Sequence, residues 1–303
     1  MYNQQVYLEN KKHNQTEIAQ AKVILASKIR RLMVVLTSRC NINCIMCERR
    51  LGDFTLSRAA VEQIIEFFPY LDSIMWQGGE VFLVDYFEEL FEKAAGYPHL
   101  IQEINTNGLL ITQNWARMIA RANVRLILSI DSIDKEIYEY IRKGAKFETL
   151  IHSLSLLKEV RSGQDKNNIA YIINVVVMRS NYQGLDDFVD FALKYGFGSI
   201  NFMCMSGKQC PQENIFDPID KKAIDYLTES IPRIIDKSRL CGLNINCEFA
   251  KYLFQVEAPV IRNSLNTCPE TLFCSMPWRS LFIDEAQQGG KFYPECLCIK
   301  PAG

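Results

Sequence analysis

Residues 31–50 read RLMVVLTSRCNINCIMCERR, and this stretch decides the predicted fold. It opens with the apolar run RLMVVLTS (31–38), which is typical of a buried strand. Cys40, Cys44 and Cys47 follow the run in a C-x3-C-x2-C spacing. One short loop with this spacing can wrap a cube-shaped iron–sulfur cluster, because three thiolates bind three of its four irons and leave the fourth open to a small chelating molecule.

A structural zinc site is the first alternative for these cysteines. Zinc in structural sites takes four ligands, and this loop contains no fourth cysteine or histidine. Plain core cysteines are the second alternative, but the neighbours Asn41, Asn43, Glu48 and Arg49 are polar. The loop therefore predicts a metal site with one open coordination position.

Short apolar runs alternate with longer amphipathic stretches about six times after residue 31. The predicted strands are 31–38, 73–78, 101–107, 125–131, 169–178 and 198–205, and a last one is possible at 245–249. The predicted helices are 57–69, 86–95, 113–122, 135–142, 147–161, 185–195 and 219–239. The alternation predicts an α/β fold with a parallel sheet, and six units favour a partial (β/α)6 TIM-like barrel. Reactive groups in such sheets lie at the carboxyl ends of the strands.

Composition limits the classes of function. The 34 basic and 35 acidic side chains nearly cancel, so the broad basic surface of a nucleic-acid-binding protein is not expected. The amino terminus lacks an apolar segment of signal-peptide type, and no run of about 18 apolar residues follows. We therefore expect a cytoplasmic protein without a membrane partner. Clustered thiols in such a reducing compartment more often bind metal than form disulfides.

The pattern predicts three regions: a polar amino-terminal extension (1–30), the barrel (31–262) and a small cysteine-rich module (263–303). The module contains C-x5-C, a hairpin-like stretch SLFIDEAQQGGKFYPE and C-x-C. Its four candidate ligands are Cys268, Cys274, Cys296 and Cys298. From spacing alone, zinc and an iron–sulfur cluster suit these thiolates equally well.

The cysteine loop and its place after the first strand resemble the radical S-adenosylmethionine (radical SAM) superfamily, and the resemblance covers residues 31–205. It implies a [4Fe–4S] cluster on Cys40, Cys44 and Cys47. It also implies that S-adenosylmethionine binds the open iron and is cleaved by one electron to a 5'-deoxyadenosyl radical, which abstracts hydrogen from a substrate. A reductant such as flavodoxin or ferredoxin would supply the electron. Met46 stands where the family often has an aromatic residue, and its thioether could pack beside adenine.

Gly78, Gly79 and Glu80 end the second predicted strand and match the family's GGE motif. By itself such a triplet is more often a turn. Its place one strand–helix unit after the cysteine loop implies that it binds the amino group of S-adenosylmethionine. Glycines let the backbone approach a ligand closely, and a carboxylate accepts hydrogen bonds from an ammonium group.

Ser129 and Asp131 end the fourth predicted strand and resemble family residues near the ribose and the methionine carboxylate. A helix cap is the alternative role for polar residues at this place. Arg142 falls where many relatives have an arginine near that carboxylate, and a solvent-exposed arginine is the alternative. Asn105 and Asn107 end the third predicted strand, where either side of the Asn107-Gly108 turn could contact cofactor or substrate, and Asn174 lies within the fifth strand. The sequence assigns no further catalytic residue.

The tail resembles the start of a SPASM or twitch domain, which binds auxiliary [4Fe–4S] clusters in many radical SAM enzymes. Gly290 is followed by five residues before Cys296, where the family usually has four. The further cysteines of a full SPASM domain are missing from the sequence. The resemblance therefore implies a shortened or truncated module with one auxiliary cluster.

The leading functional prediction is a radical SAM oxidoreductase or peptide maturase whose substrate is a peptide. A radical SAM dehydrogenase of a small carbohydrate-like molecule is the main alternative, and radical modification of RNA is a weaker one. A zinc-stabilised, non-catalytic scaffold that binds a partner protein is the alternative from another class.

Overall fold

A computed structural model of the chain describes residues 3–22, 24–47, 53–161, 171–205, 208–253, 280–284 and 291–294. The helices of the described residues are α1 (Gln4–Ala19), α2 (Arg58–Ile65), α3 (Phe87–Ala95), α4 (Gln113–Arg121), α5 (Lys135–Ile141), α6 (Phe147–Arg161), α7 (Phe188–Tyr195), α8 (Lys221–Leu240) and α9 (Ala250–Leu253). The strands are β1 (Arg31–Thr37), β2 (Ser73–Gly78), β3 (Ile101–Thr106), β4 (Val124–Ser129), β5 (Tyr171–Val177), β6 (Phe197–Cys204), β7 (Asn244–Cys247), β8 (Ser280–Asp284) and β9 (Lys291–Pro294).

The alternating strands and helices predicted from the sequence are present, with small differences at their ends. The largest difference is in α2, which was expected to reach Pro69 and ends at Ile65. Polar caps explain why several starts were predictable. Ser57 accepts a hydrogen bond from the Ala60 N–H, and Asp134 caps α5 in the same way through the Ile137 N–H.

The chain divides into two compact units. The first comprises Met1–Arg39, Leu51–Ile104 and Pro259–Gly303, and the second comprises Cys40–Arg50 and Asn105–Ala258. In the first unit β1 pairs in parallel with both β2 and β8, and β2 pairs in parallel with β3. In the second unit β4, β5, β6 and β7 pair in parallel in that order. These pairings confirm the predicted parallel arrangement.

The core of the first unit is aromatic. The fully buried Trp76 on β2 meets Phe68 and Phe87 edge-on, with ring centroids 6.3 and 6.0 Å away. Its indole N–H donates to Gln102 Oε1 at 3.0 Å, so the one polar atom of this ring keeps a partner inside the core. This packing holds β2 and β3 against α3.

The second unit buries one face of its sheet more deeply than the other. Along β5, Ile173 and Val175 are fully buried, whereas Asn174 between them is half-buried. On β6, Phe202 is fully buried and packs edge-on against Phe188 of α7 at 6.3 Å. The deeply buried face is therefore the one that α7 covers.

The expected hairpin near the carboxyl terminus is present, since β8 and β9 pair antiparallel from Leu281 opposite Pro294 to Asp284 opposite Lys291. The sequence did not predict that β8 also lies in parallel beside β1. Cys268, Cys274, Cys296 and Cys298 lie outside the described residues, and the predicted boundaries of the module at 263–303 stay a prediction. Within the described residues, no helix combines the length and the apolar character that a membrane crossing requires.

Helix α1 was missed by the sequence analysis, which treated residues 1–30 as a polar extension. Its buried side chains are Asn10, Asn14 and Glu17 rather than an apolar stripe. Asn10 exchanges two hydrogen bonds with the backbone of Lys28, at 3.1 and 2.7 Å. Hydrogen bonds from Ser27 and from the Ala26 N–H lower the pKa of Glu17 to about 2. The helix is thus held by polar side chains that pair with the segment leading into β1.

Replacing Asn10 by alanine should lower the free energy of unfolding by about 1–3 kcal/mol, because the part-buried hydrogen bonds to the N–H and C=O of Lys28 are lost. Urea denaturation followed by circular dichroism measures the change. Lys12→Ala, an exposed substitution on the same helix, should stay within about 0.5 kcal/mol of the parent. Equal stabilities of the two variants would contradict this account of α1.

Candidate functional site

The cysteine loop follows β1 and is anchored to the end of α5. The Asn43 N–H donates to Lys143 O at 2.7 Å, and the Ile45 N–H donates to Ile141 O at 2.9 Å. Cys40 and Cys47 are exposed, whereas Cys44 is half-buried. The loop therefore presents thiols to solvent while its backbone is fixed.

Asn107 supports the beginning of this loop. Its side-chain N–H donates to Asn41 Oδ1 at 2.8 Å and lies 3.8 Å from Cys40 Sγ. Its own Oδ1 accepts from the Leu109 N–H, which makes the turn after β3. The sequence left open what Asn107 touches, and the structure places it on the cysteine loop.

A buried ion pair lies behind the loop. Arg142 Nη2 is 2.8 Å from Asp131 Oδ2, and the two side chains are 6% and 0% exposed. Arg142 Nη1 also points at Cys44 Sγ, 3.8 Å away. The alternative of a solvent-exposed Arg142 is therefore wrong. Burial would lower the pKa of Arg142, but Asp131 and Cys44 raise it above the usual range, so the guanidinium stays charged.

Asp131 also joins the ends of β4 and β5. Its Oδ1 accepts from the Val176 N–H at 2.9 Å, and its backbone oxygen accepts from Asn181 Nδ2 at 2.7 Å. Asn181 Oδ1 in turn accepts from the Met178 N–H at 2.7 Å. Sequence reasoning missed Asn181, and its only signal was a polar residue in the turn after the fifth strand. Asp131 Oδ1 thus accepts a hydrogen bond and Oδ2 lies in the ion pair with Arg142, and contact with a cofactor stays a prediction.

The chemistry of the loop fits an iron–sulfur cluster. Burial raises the pKa of Cys44 to about 11 against the opposing effect of Arg142, so a bound metal is needed to deprotonate this thiol. Tyr138 is fully buried near Cys44, and within the described residues neither its hydroxyl nor Arg142 Nε has a hydrogen-bond partner. These two donors suit an anionic ligand beside the thiols.

Among the described residues, no group of three or more His, Cys, Asp or Glu side chains converges on one point that could hold a single metal ion. A four-iron cluster makes a different demand, because each thiolate binds a different iron. Binding of a cluster by Cys40, Cys44 and Cys47 stays a prediction.

Met46 of the cysteine loop is half-buried. It contacts a small core formed by Ile141, Met178, Met205 and Cys210, together with Ile45 and Val176. The loop thus packs against a core that includes flexible sulfur-containing side chains, and these can adapt to a bound molecule. Contact between Met46 and adenine stays a prediction, as does the role of Ser129, which ends β4 half-buried.

Gly78 and Gly79 bring the end of β2 against the end of β1. A Cβ on Gly79 would lie 2.0 Å from Arg39 O, and Gly78 has a φ of +139°, so neither position accepts another residue without a shift. The Glu80 N–H donates to Arg39 O at 2.8 Å, directly before Cys40 in the sequence. The Glu80 side chain is fully buried and accepts from the Phe82 N–H. Binding of the cofactor amino group by this triplet stays a prediction.

A sequence model of the radical SAM superfamily matches residues 34–192, which is more than half of the chain. An uncharacterised protein of Methanocaldococcus jannaschii is 27% identical over 198 residues, which are 60% of this chain and 64% of that protein. Mycofactocin maturase MftC of Mycolicibacterium smegmatis is 27% identical over 167 residues, covering 53% of this chain and 41% of the maturase. A cysteine-type anaerobic sulfatase-maturating enzyme of Clostridium novyi is 22% identical over 281 residues, covering 85% and 71%. The chain spans less than two thirds of the first two relatives.

Solved structures of SuiB from Streptococcus suis share the fold. SuiB bound to S-adenosylmethionine superposes with a TM-score of 0.65 at 16% identity, covering 90% of this chain and 61% of SuiB. SuiB bound to precursor peptide SuiA superposes with a TM-score of 0.63 at 19% identity, covering 91% and 62%. The likeness confirms the predicted α/β fold, a partial TIM-like barrel.

Gly79→Ala should lower the free energy of unfolding by about 1–3 kcal/mol, because the new methyl group meets the Arg39 carbonyl and must displace it. Urea denaturation of the metal-free chain measures the loss. Gly184→Ala is the matched control, since nothing lies within 4 Å of a Cβ at that position. If Gly79→Ala were as stable as Gly184→Ala, the close approach of the two strand ends would be wrong.

Arg142→Ala should lower the free energy of unfolding by about 3–5 kcal/mol, because it leaves the Asp131 carboxylate buried without a counter-charge. Thermal and urea denaturation of the metal-free chain report the loss without any contribution from a cofactor. Lys143→Ala, the exposed neighbour, serves as the control. A loss below about 1 kcal/mol for Arg142→Ala would mean that the ion pair does not hold this region.

Proposed function

The chain belongs to the radical SAM superfamily, and we propose that within it the chain is a peptide-modifying enzyme with Cys40, Cys44 and Cys47 as the ligands of the [4Fe–4S] cluster. The superfamily uses this cluster together with S-adenosylmethionine. The observation that carries the proposal is the cysteine loop fixed over the buried pair of Arg142 and Asp131.

A cluster held by these cysteines would supply the one electron needed to split S-adenosylmethionine into methionine and a 5'-deoxyadenosyl radical able to abstract hydrogen from the substrate. The protein itself would position the bound groups and stabilise their charge. Three thiolates would hold the cluster, and the guanidinium of Arg142, 3.8 Å from Cys44 Sγ, would stabilise the negative charge on this sulfur. Because Arg142 is itself held by Asp131, it is oriented before any ligand arrives.

Cofactor binding is assigned to residues at the ends of the strands and in the cysteine loop. Glu80, presented by Gly78 and Gly79, would accept hydrogen bonds from the amino group of S-adenosylmethionine. Ser129 would meet the ribose, and Met46 would pack beside adenine. Arg142 would attract the methionine carboxylate from behind the cysteine loop, where its Nε and the Tyr138 hydroxyl lack protein partners within the described residues.

A peptide is the proposed substrate because three of the relatives above are described as maturation enzymes or in complex with a precursor peptide. One is a mycofactocin maturase, one is a sulfatase-maturating enzyme, and SuiB is described in complex with a precursor peptide. A small carbohydrate-like substrate is the alternative. Cys268, Cys274, Cys296 and Cys298 are proposed to hold an auxiliary [4Fe–4S] cluster, and a protein reductant such as flavodoxin or ferredoxin is proposed as electron donor.

Anaerobic reconstitution followed by iron analysis and an assay for 5'-deoxyadenosine tests the proposal. We expect about eight irons per chain with both clusters and about four with the first alone. Replacing Cys40, Cys44 and Cys47 together by alanine should remove about four irons and abolish formation of 5'-deoxyadenosine.

Cys241→Ala, an exposed thiol outside the loop, is the control and should match the parent in iron content and cleavage. Cleavage of S-adenosylmethionine by the triple variant would contradict the assignment of Cys40, Cys44 and Cys47 as cluster ligands. A colourless, zinc-containing parent protein would instead support the non-catalytic scaffold.

A further inference from the structure

Four polar side chains lie side by side across the four strands of the second unit. Ser129 of β4 is the register partner of Asn174 of β5, Asn174 is the partner of Asn201 of β6, and Asn201 is the partner of Asn246 of β7. We call Asn174, Asn201 and Asn246 the carboxamide row. Because register partners in a sheet point to the same side, the row and Ser129 share one face.

This face is the one that the helices do not cover. Ile173 and Val175, on either side of Asn174, are fully buried on the opposite face. Phe202, which follows Asn201, also lies on that opposite face and packs against Phe188 of α7. The carboxamide row therefore lines the side of the sheet away from the helix layer.

The row has hydrogen-bonding capacity that the fold does not use. Asn201 Nδ2 donates to Asn174 Oδ1 at 2.8 Å, and within the described residues this is the one hydrogen bond made by the three side chains. Among the described residues, the Asn174 amide N–H groups, Asn201 Oδ1 and the Asn246 side chain have no hydrogen-bond partner. Asparagine is disfavoured in strands, and half-buried polar groups such as those of Asn174 and Asn201 need partners, so the row points to a ligand rather than to stability.

The row lies next to the cysteine loop. Val176 follows Asn174 by two residues on the same face, about 6.6 Å along the strand. Val176 packs into the apolar group that contains Met46 and Ile45 of the loop, and its N–H donates to Asp131. At its other end the row reaches Asn246, which is exposed on the last strand of the unit. It thus connects solvent with the site of the proposed chemistry.

We propose that the carboxamide row binds the main chain of the peptide substrate and leads it toward the cysteine loop. Each carboxamide offers one acceptor and donor N–H groups, which complement the N–H and C=O of a peptide group. Three spacings between neighbouring strands make the distance from Ser129 to Asn246 about 14 Å, which is the span of about four residues of extended chain. The row carries no charge, so it recognises the backbone rather than acidic or basic side chains.

The proposal rests on the proposed function, because it takes the substrate to be a peptide. The probe is a mixture of acetylated and amidated hexapeptides of random sequence, incubated anaerobically with the reconstituted protein and S-adenosylmethionine. Affinity selection with mass spectrometry identifies the retained peptides. The peptide that binds most tightly is then titrated against each variant. It is used both unmodified and with its main-chain amides N-methylated.

Asn201→Leu and Asn246→Leu should each weaken binding of this peptide about tenfold, the effect of losing hydrogen bonds worth about 1.4 kcal/mol. N-methylation should weaken its binding to the parent protein by a similar factor. Asn244→Leu is the matched control, since Asn244 is also exposed on β7 but lies opposite Ser199, one row further from the cysteine loop. Asn246 is exposed, so its variant should fold even if Asn201→Leu does not.

The proposal is overturned if neither row variant weakens binding, if Asn244→Leu weakens it equally, or if N-methylation has no effect. It is also overturned if the parent retains no peptide, or retains members of a panel of mono- and disaccharides instead. Formation of 5'-deoxyadenosine without substrate is measured in parallel. A parent that binds peptides through the row but cleaves no S-adenosylmethionine would refute the proposed function and leave this inference standing.

Discussion

The candidate site depends on the ion pair between Arg142 and Asp131. Both charges are removed from water, so each is costly alone and stable only with the other. Asp131 then fixes the ends of β4 and β5 through Val176 and Asn181, while Arg142 reaches Cys44. One charged contact therefore sets the position of two strand ends and a thiol. On either side of that thiol, the backbone N–H groups of Asn43 and Ile45 donate to Lys143 and Ile141.

The sequence was sufficient for features whose cause is local. Strand β5 alternates and β1 is an apolar run, and such patterns depend only on near neighbours. Helix caps such as Ser57 and Asp134 are equally local, because the accepting side chain and the donor N–H lie within three residues. The candidate site could be predicted for the same reason, since the cysteine spacing and the double glycine after the second strand are both local patterns.

Features that depend on partners far apart along the chain were not predicted from the sequence. Helix α1 has no apolar stripe, since Asn10 and Glu17 bind backbone groups more than eight residues away. The local sequence indicates only a turn at Asn181, because its partner Asp131 lies 50 residues earlier in the chain. The carboxamide row is invisible along the chain, because it exists only through the register of four strands. Sequence patterns find elements, whereas register between elements decides which polar side chains meet.

The pairing of β1 with β8 has a consequence for the order in which the protein is made. One side of β1 receives its partner only when Ser280–Asp284 has been synthesised, roughly 240 residues later, which takes about 12–50 s at ordinary elongation rates. Until then the strand that leads into the cysteine loop has an open edge on the ribosome, and such edges attract other chains. Biogenesis of this protein thus includes a vulnerable interval, which slower translation would lengthen.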